Sequence, residues 1–497
     1  MAGGVAEAPA PPLDTQPARA RPLPMLRWLD GVVLSLTMPA ALIATLGYSI
    51  GALGTWDAIA LWGASMVIAT LANWIYTELA AMFPEKSGGI ALYAWEGWRA
   101  RFTPVGPIAT FGYWFAWSSS IAVFAAIIGD LVQAEWFAGQ TWTWHVIGAD
   151  VTFPRLVAAA VVVAVWAANV LGIRPTMWVA YATGAMLLVP LVVFIVVPYL
   201  TGDWSASTLT AKIGDAGQDW GGARLALVWL YIMCWTSLGV ETCATFTPEY
   251  RDGARAAGRA LRVAALFSLA VFVLLPLGAA GTAGEAAVAR KPLTFYAEAF
   301  DSVVGRAGNV MVALIIASLV LVLNTCMADS SRALRGAARD GMTVRELDHL
   351  NRFGVPGRAM TVDLVANLFL LFFLGSTLAI VATGNLGYVG AHVFALSGFL
   401  LLRRDRPGWP RPIRVGPVFV VAAAALAVLL SVLIGVGATT FDLTGYGGVK
   451  ELAIALGILA SSVVLYAFRR VVQDRVRLVL HEPVPPAAVL GPSDGRP

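Results

Sequence analysis

Cys234-Trp235-Thr236-Ser237-Leu238-Gly239-Val240-Glu241-Thr242 sits between two apolar half-segments, 225–233 and 243–246. Together they have the length of one membrane-crossing helix, yet the middle is built against such a helix. Lipid offers no partner for free backbone N–H and C=O groups, so a spanning helix gains by running through unbroken. Gly239 weakens it, and the hydroxyls of Thr236, Ser237 and Thr242 compete for its backbone hydrogen bonds. Glu241 places an ionisable group at a depth where charge is expensive, which makes it a functional candidate by default. The plainer alternative is a helix–helix contact through small residues, with Glu241 satisfied by a neighbour.

Composition bounds the class. Of 497 residues, 58% are hydrophobic and only 13% charged, and the mean hydropathy is +0.74. A soluble domain of this size cannot cover its surface with so little charge, so the chain is an all-α polytopic membrane protein. Residues 1–24, rich in Pro, Ala and Arg, read as a disordered cytoplasmic tail rather than a signal peptide. The end of the chain, 471–497, reads as a second cytoplasmic tail, disordered after Arg477 where Pro483, Pro485 and Pro486 follow. Cys234, Cys243 and Cys326 all fall in apolar segments and imply neither a disulfide framework nor a metal site. A net charge of +4 is no nucleic-acid signal, and no cofactor is expected.

Apolar runs of about 20 residues mark twelve spans: 28–53, 57–83, 107–133, 155–172, 176–200, 223–247, 260–282, 304–330, 360–375, 377–402, 415–436 and 450–469. Thr37-Met38-Pro39-Ala40-Ala41 interrupts the first. Proline removes a donor and disrupts the preceding turn, yet suits the start of a new helix, so the first span is expected to break in two, as is the sixth. Most of the 34 Lys and Arg residues fall on one side if both termini are cytoplasmic. This bias fits an even number of crossings of the cell membrane. Broken spans five apart suggest a 5+5 inverted repeat over 25–402, with the last two spans, 403–470, outside it. Interrupted segments at matching places in two halves point to a transporter's midplane site.

Two stretches flank this core. Glu78-Leu79-Ala80-Ala81-Met82-Phe83-Pro84-Glu85-Lys86-Ser87-Gly88-Gly89 closes the second span, where Pro84 stops the helix and the glycines allow a tight turn. Ser331-Arg332-Ala333-Leu334-Arg335-Gly336-Ala337-Ala338-Arg339-Asp340-Gly341 leaves the eighth, with cations suited to a helix C-terminus and Gly341 as its cap. Taken with Trp235–Glu241, and in this order, they resemble the amino acid–polyamine–organocation superfamily of secondary transporters over about residues 28–470. The resemblance implies twelve helices with the first and sixth discontinuous, and uptake or exchange of amino acids or amines.

It also implies roles. Where relatives have a Gly-Ser-Gly-like run in the first span, this chain has Pro39-Ala40-Ala41, so the amides of Ala40 and Ala41, with Thr37 beside them, would hold a substrate carboxylate. The sixth span resembles the Trp-x-x-x-Gly-x-Glu of arginine/agmatine antiporters: Trp235 would close over the substrate and Glu241 would be proton-linked. Carbonyls around Trp235, Ser237 and Leu238 would receive the substrate ammonium. Tyr113-Trp114 resembles a site-lining pair on the third span. Asn324-Thr325-Cys326 match the positions that select the substrate side chain. The arginine antiporters carry an aromatic near Cys326 and an amide near Ile121; both are absent, which argues against a guanidinium substrate. Asp329 would join a proton path or pair with an Arg, while Asn385 and His392 read as packed polar groups. The fifth span lacks the lysine that stands in for sodium in some proton-coupled relatives, which leaves the ion open, with a proton favoured.

Other classes find less support. A membrane enzyme needs a nucleophile–base set or metal cluster, but the histidines are only His145, His349, His392 and His481, without metal-ligand spacing. A channel needs a filter loop or charged ring, and neither is visible. A sensor needs an added signalling domain, but the tails are short. A polyamine carrier remains open.

Overall fold

The long apolar runs fold as helices because only an intact helix pairs all its own backbone groups. A computed structural model describes residues 24–483 apart from 147, 216–219, 221, 293–294, 306, 374–376 and 441–447. Within it, eleven helices are long and apolar enough to cross a membrane: Trp28–Leu53, Thr55–Met82, Val105–Trp136, Phe153–Val170, Ile173–Thr201, Ala223–Glu249, Gly253–Ala283, Gly308–Arg339, Ile380–Asp405, Pro417–Gly437 and Val449–Gln473. The expected ninth span is the helix Gly357–Phe373, only 17 residues long, or about 25 Å at 1.5 Å per residue. We number it as the ninth, so that the last three helices are the tenth to twelfth spans. The expected N-terminal tail, 1–24, lies outside the described residues except for Pro24.

Both interrupted spans are interrupted, though not as expected. The first consists of Trp28–Ser35 and Thr37–Leu53, joined at Leu36 (φ −61°, ψ −11°). The joint lies three residues before Pro39, because proline at the third position of the new helix needs no donor. Ala40 N–H bonds Leu36 O at 3.1 Å, so the Ala40 amide is not free. The sixth span does not unwind. It changes from an α-helix, Ala223–Ser237, to a 3₁₀-helix, Leu238–Glu249. So long a run of tighter winding is uncommon and typical of a hinge or strained stretch.

The third span packs against the eighth and tenth, and the second against the seventh. The eleventh and twelfth are peripheral: 22% and 17% of their most apolar stretches are buried, against 72% for the third. An unanticipated hairpin, Thr143–Val146 with Ala149–Thr152, joins the third span to the fourth.

Ion pairs lock the end of the bundle at which the described residues begin and end. Glu78, fully buried, pairs with Arg403 and with Arg411 at 3.1 Å. Glu96, on the short helix Gly89–Trp98, takes Lys86 at 2.7 Å and Arg406 at 2.9 Å. Burial would raise the Glu96 carboxyl, but Lys86, Arg99 and Arg406 win and hold it at about 2. Lys86 also reaches Asp340 at 3.0 Å, and Arg332 donates to Glu249 at 3.1 Å. Hence the two flanking stretches are partners across one interface. Gly341 (φ +76°) ends the eighth span as expected. The chain end departs from expectation: Thr103 N–H bonds Leu480 O at 2.9 Å and Arg99 pairs with Glu482 at 2.6 Å, so the tail past Arg477 is docked as far as Glu482.

At the opposite end Glu285 accepts from Thr55 N–H at 3.0 Å and Thr210 N–H at 2.9 Å, with Lys212 at 2.8 Å. Burial would raise its carboxyl, yet these donors and Lys212 hold it at about 2.

Candidate functional site

The site is built where the third and tenth spans cross through glycine. A Cβ on Gly112 would stand 2.4 Å from Gly387 O, and one on Gly387 would stand 2.5 Å from Gly112 Cα. Small residues that let two membrane helices touch by backbone set where the neighbouring side chains go. Here the next residues are Tyr113 and Tyr388, with rings 5.8 Å apart. Both hydroxyls converge on the sixth span: Tyr388 donates to Glu241 Oε1 at 2.9 Å and Tyr113 to Oε2 at 3.2 Å. Tyr113 also shares a hydrogen bond with Thr245 Oγ1 at 3.2 Å. Glu241 is completely buried, so these donors replace the water it lost. Asp329, equally buried, accepts from Thr242 at 3.0 Å through Oδ1, and its Oδ2 has no hydrogen-bond partner.

Against this acid–tyrosine layer lies a cavity. The first span contributes Met38 and Ala41, the third Ala116, Trp117, Ser120 and Phe124, the sixth Trp235 and Thr236, the eighth Val322 and Cys326, and the tenth Tyr388. Trp235 stacks on Phe124 with ring centres 5.9 Å apart. Gly239 allows the two broken spans to meet, since a Cβ there would stand 2.3 Å from Met38 Sδ.

Of the residues expected from sequence, Ala41, Trp235 and Cys326 line the cavity, and Tyr113, Glu241 and Asp329 form the polar layer. Thr37, Ala40, Ser237 and Leu238 are buried without lining it; Thr37 Oγ1 and Ser237 Oγ have no hydrogen-bond partner. Cys234 O, one of the carbonyls of that stretch, is taken by Leu238 N–H. Asn324 is not brought to the cavity. Its oxygen accepts from Asn169 at 3.0 Å and its amide donates to Thr176 O at 3.0 Å, tying the eighth span to the fourth and fifth. Trp114 donates to Asp363 at 2.8 Å instead of lining the site. His392 meets the Tyr76 hydroxyl at 2.8 Å and Asn385 donates to Tyr231 O at 2.9 Å, both packed between helices.

Sequence reasoning missed Met38, Ala116, Trp117, Ser120, Phe124, Thr236, Val322 and Tyr388. Ser120 and Phe124 were within reach, because 113, 117, 120 and 124 follow helical spacing from Tyr113. Val322 sits one turn before Cys326 on the same basis. Tyr388 was not, since its role depends on a crossing far apart in the chain.

Trp235→Ala is expected to weaken substrate binding far more than Trp178→Ala, whose ring is 73% exposed. Stacking or a desolvated cation–π contact with a bound ammonium contributes about 0.5–2 kcal/mol. Equal losses for the two variants in a binding assay would take Trp235 out of the site.

Similarity to known proteins bears on this geometry. Residues 28–463 match the family model described as amino acid permease. An uncharacterized transporter of Mycobacterium bovis is 27% identical over 460 residues, covering 90% of this chain and 92% of the relative. Uncharacterized transporters of two Mycobacterium tuberculosis strains match with the same identity and coverage. The family match spans all the helices that build the cavity, and the chain therefore belongs to the amino acid permease family, within the amino acid–polyamine–organocation superfamily, and is a multi-pass membrane transporter.

Proposed function

We propose that this transporter carries α-amino acids across the cell membrane by alternating access, with both termini cytoplasmic and a proton as the coupling ion or exchange as the driving mode. The observation that carries the reading is the meeting of two broken spans at one cavity, with the start of the half-helix Thr37–Leu53 beside it. Helix geometry leaves the first amides of such a half-helix unpaired, and its dipole favours an anion. Because Ala40 N–H is used and Pro39 has none, the carboxylate falls to the N–H of Met38, which lines the cavity, rather than to Ala40. The ammonium then faces the sixth span near Thr236. Glu241 carries the proton, with Asp329 as its neighbour on the eighth span.

Ion pairs of Glu78, Glu96 and Glu249 join the second and sixth spans and the Gly89–Trp98 helix to the eighth and tenth. Opening the site to the cytoplasm would break them, as rocking of one group of spans against another requires. The ten spans through 402 form the inverted-repeat core in this reading.

Uptake into proteoliposomes, competed by unlabelled amino acids and by the amines made by removing their carboxyl group, tests the proposal. Amino acids should compete at least about tenfold better, a difference of about 1.4 kcal/mol. Amines that compete as well as their parents would favour a polyamine carrier.

A further inference from the structure

We infer that the amino acid this cavity takes has a neutral, apolar side chain, and that cationic and anionic amino acids are excluded. This rests on the amino acid reading above and adds to it the class of side chain. No residue lining the cavity carries a charge. Its hydroxyls are mostly committed: Ser120 donates to Ala116 O at 2.6 Å and Tyr388 to Glu241 at 2.9 Å. That leaves Thr236, on the sixth span, where the ammonium is placed. Glu241 itself lies beyond Tyr388, with both oxygens already accepting hydrogen bonds.

A guanidinium, ammonium or carboxylate at the end of a substrate side chain would therefore enter without a charged partner. An unpaired buried charge carries its full desolvation cost. An apolar side chain meets the opposite situation. Val322 and Cys326, one turn apart on the eighth span, and Ala116 and Phe124 on the third offer it carbon and sulfur. A buried free thiol packs as a small hydrophobe. Beyond Thr236, this wall leaves free the buried Trp117 indole N–H, which is uncharged, so discrimination comes from charge exclusion and volume.

The test titrates the purified full-length protein in detergent with leucine, methionine, phenylalanine, arginine, lysine, glutamate and 3-methylbutylamine, reading affinity from the shift in thermal unfolding. The neutral apolar amino acids should bind at least about tenfold more tightly than arginine, lysine or glutamate. Cys326→Asp should weaken leucine by about tenfold or more and bring lysine or arginine binding up. The same melting curve shows whether the variant is folded. If it is not, Val322→Phe serves instead: filling the wall should cost phenylalanine more affinity than alanine. Arginine, lysine or glutamate binding as well as leucine would overturn the inference and leave the amino acid reading intact. Equal loss of phenylalanine and alanine in Val322→Phe would overturn it too. If 3-methylbutylamine matches leucine, or no amino acid shifts the curve, the amino acid reading itself falls.

Discussion

Glu241→Gln is expected to flatten the pH profile of uptake and to lower gradient-driven uptake by about tenfold or more, roughly 1.4 kcal/mol in barrier height, while substrate still binds. The fold should survive. Glutamine keeps one carbonyl oxygen for one of the two tyrosines, and its amide can donate to the hydroxyl of the other. What it loses is the ability to change charge. In a layer where Tyr113, Tyr388, Thr245, Thr242 and Asp329 meet, that change is what would reset the hydrogen bonds between the sixth span and the third and tenth. A different account holds Glu241 permanently charged as a partner for a bound cation or the substrate ammonium. It predicts lost binding at every pH in the same variant. Measuring binding and uptake side by side between about pH 5 and 8 separates the two, because unperturbed side chains other than histidine change charge little there. Wild-type pH dependence together with wild-type affinity would sink both and leave Glu241 as a packing residue.

Gly387→Val is expected to damage the core and the site together. A Cβ at Gly387 would lie 2.5 Å from Gly112 Cα, and valine adds two methyl groups beyond it. The obstacle is backbone, which cannot rotate away as a side chain can. The third and tenth spans must therefore part, at a cost of about 1–3 kcal/mol or more for an overpacked core. Parting them draws Tyr388 from Glu241, so substrate binding should fall together with the melting temperature. Gly390→Val is the control. It lies on the same span, three residues on, where an added Cβ meets nothing within 4 Å. Similar melting temperatures for the two variants would show that the crossing is not held by glycine contact.

How much of this was legible beforehand can be traced through particular residues. Trp235 was marked by the family resemblance, whereas Glu241 and Gly239 stood out because each violates what a lipid-spanning helix prefers, and such violations are visible without coordinates. The two interrupted spans were found for the same reason. Their form was misjudged: Pro39 was read as the joint, but its place inside the first turn of the second half-helix moves the joint to Leu36 and occupies the Ala40 amide. Asn324 was placed at the site by position along the eighth span, while its partners Asn169 and Thr176 are 155 and 148 residues away in the chain. Nothing local reveals which face of a helix such a residue presents.

The sequence by itself determined the class, the expected spans and the two that are broken. These follow from backbone hydrogen bonding in lipid and from the cost of charge there, which act on each segment separately. It determined Glu241 as the central acid on the same ground. The tertiary structure alone decided that Tyr388 reaches that acid, that Phe124 stacks on Trp235, and that the cavity wall carries no charge. It also decided that Glu78 and Glu96 pair with arginines more than 300 residues away. Each of these depends on how helices cross, and crossings such as Gly112 on Gly387 are set by pairwise close packing between distant segments, which no single segment encodes.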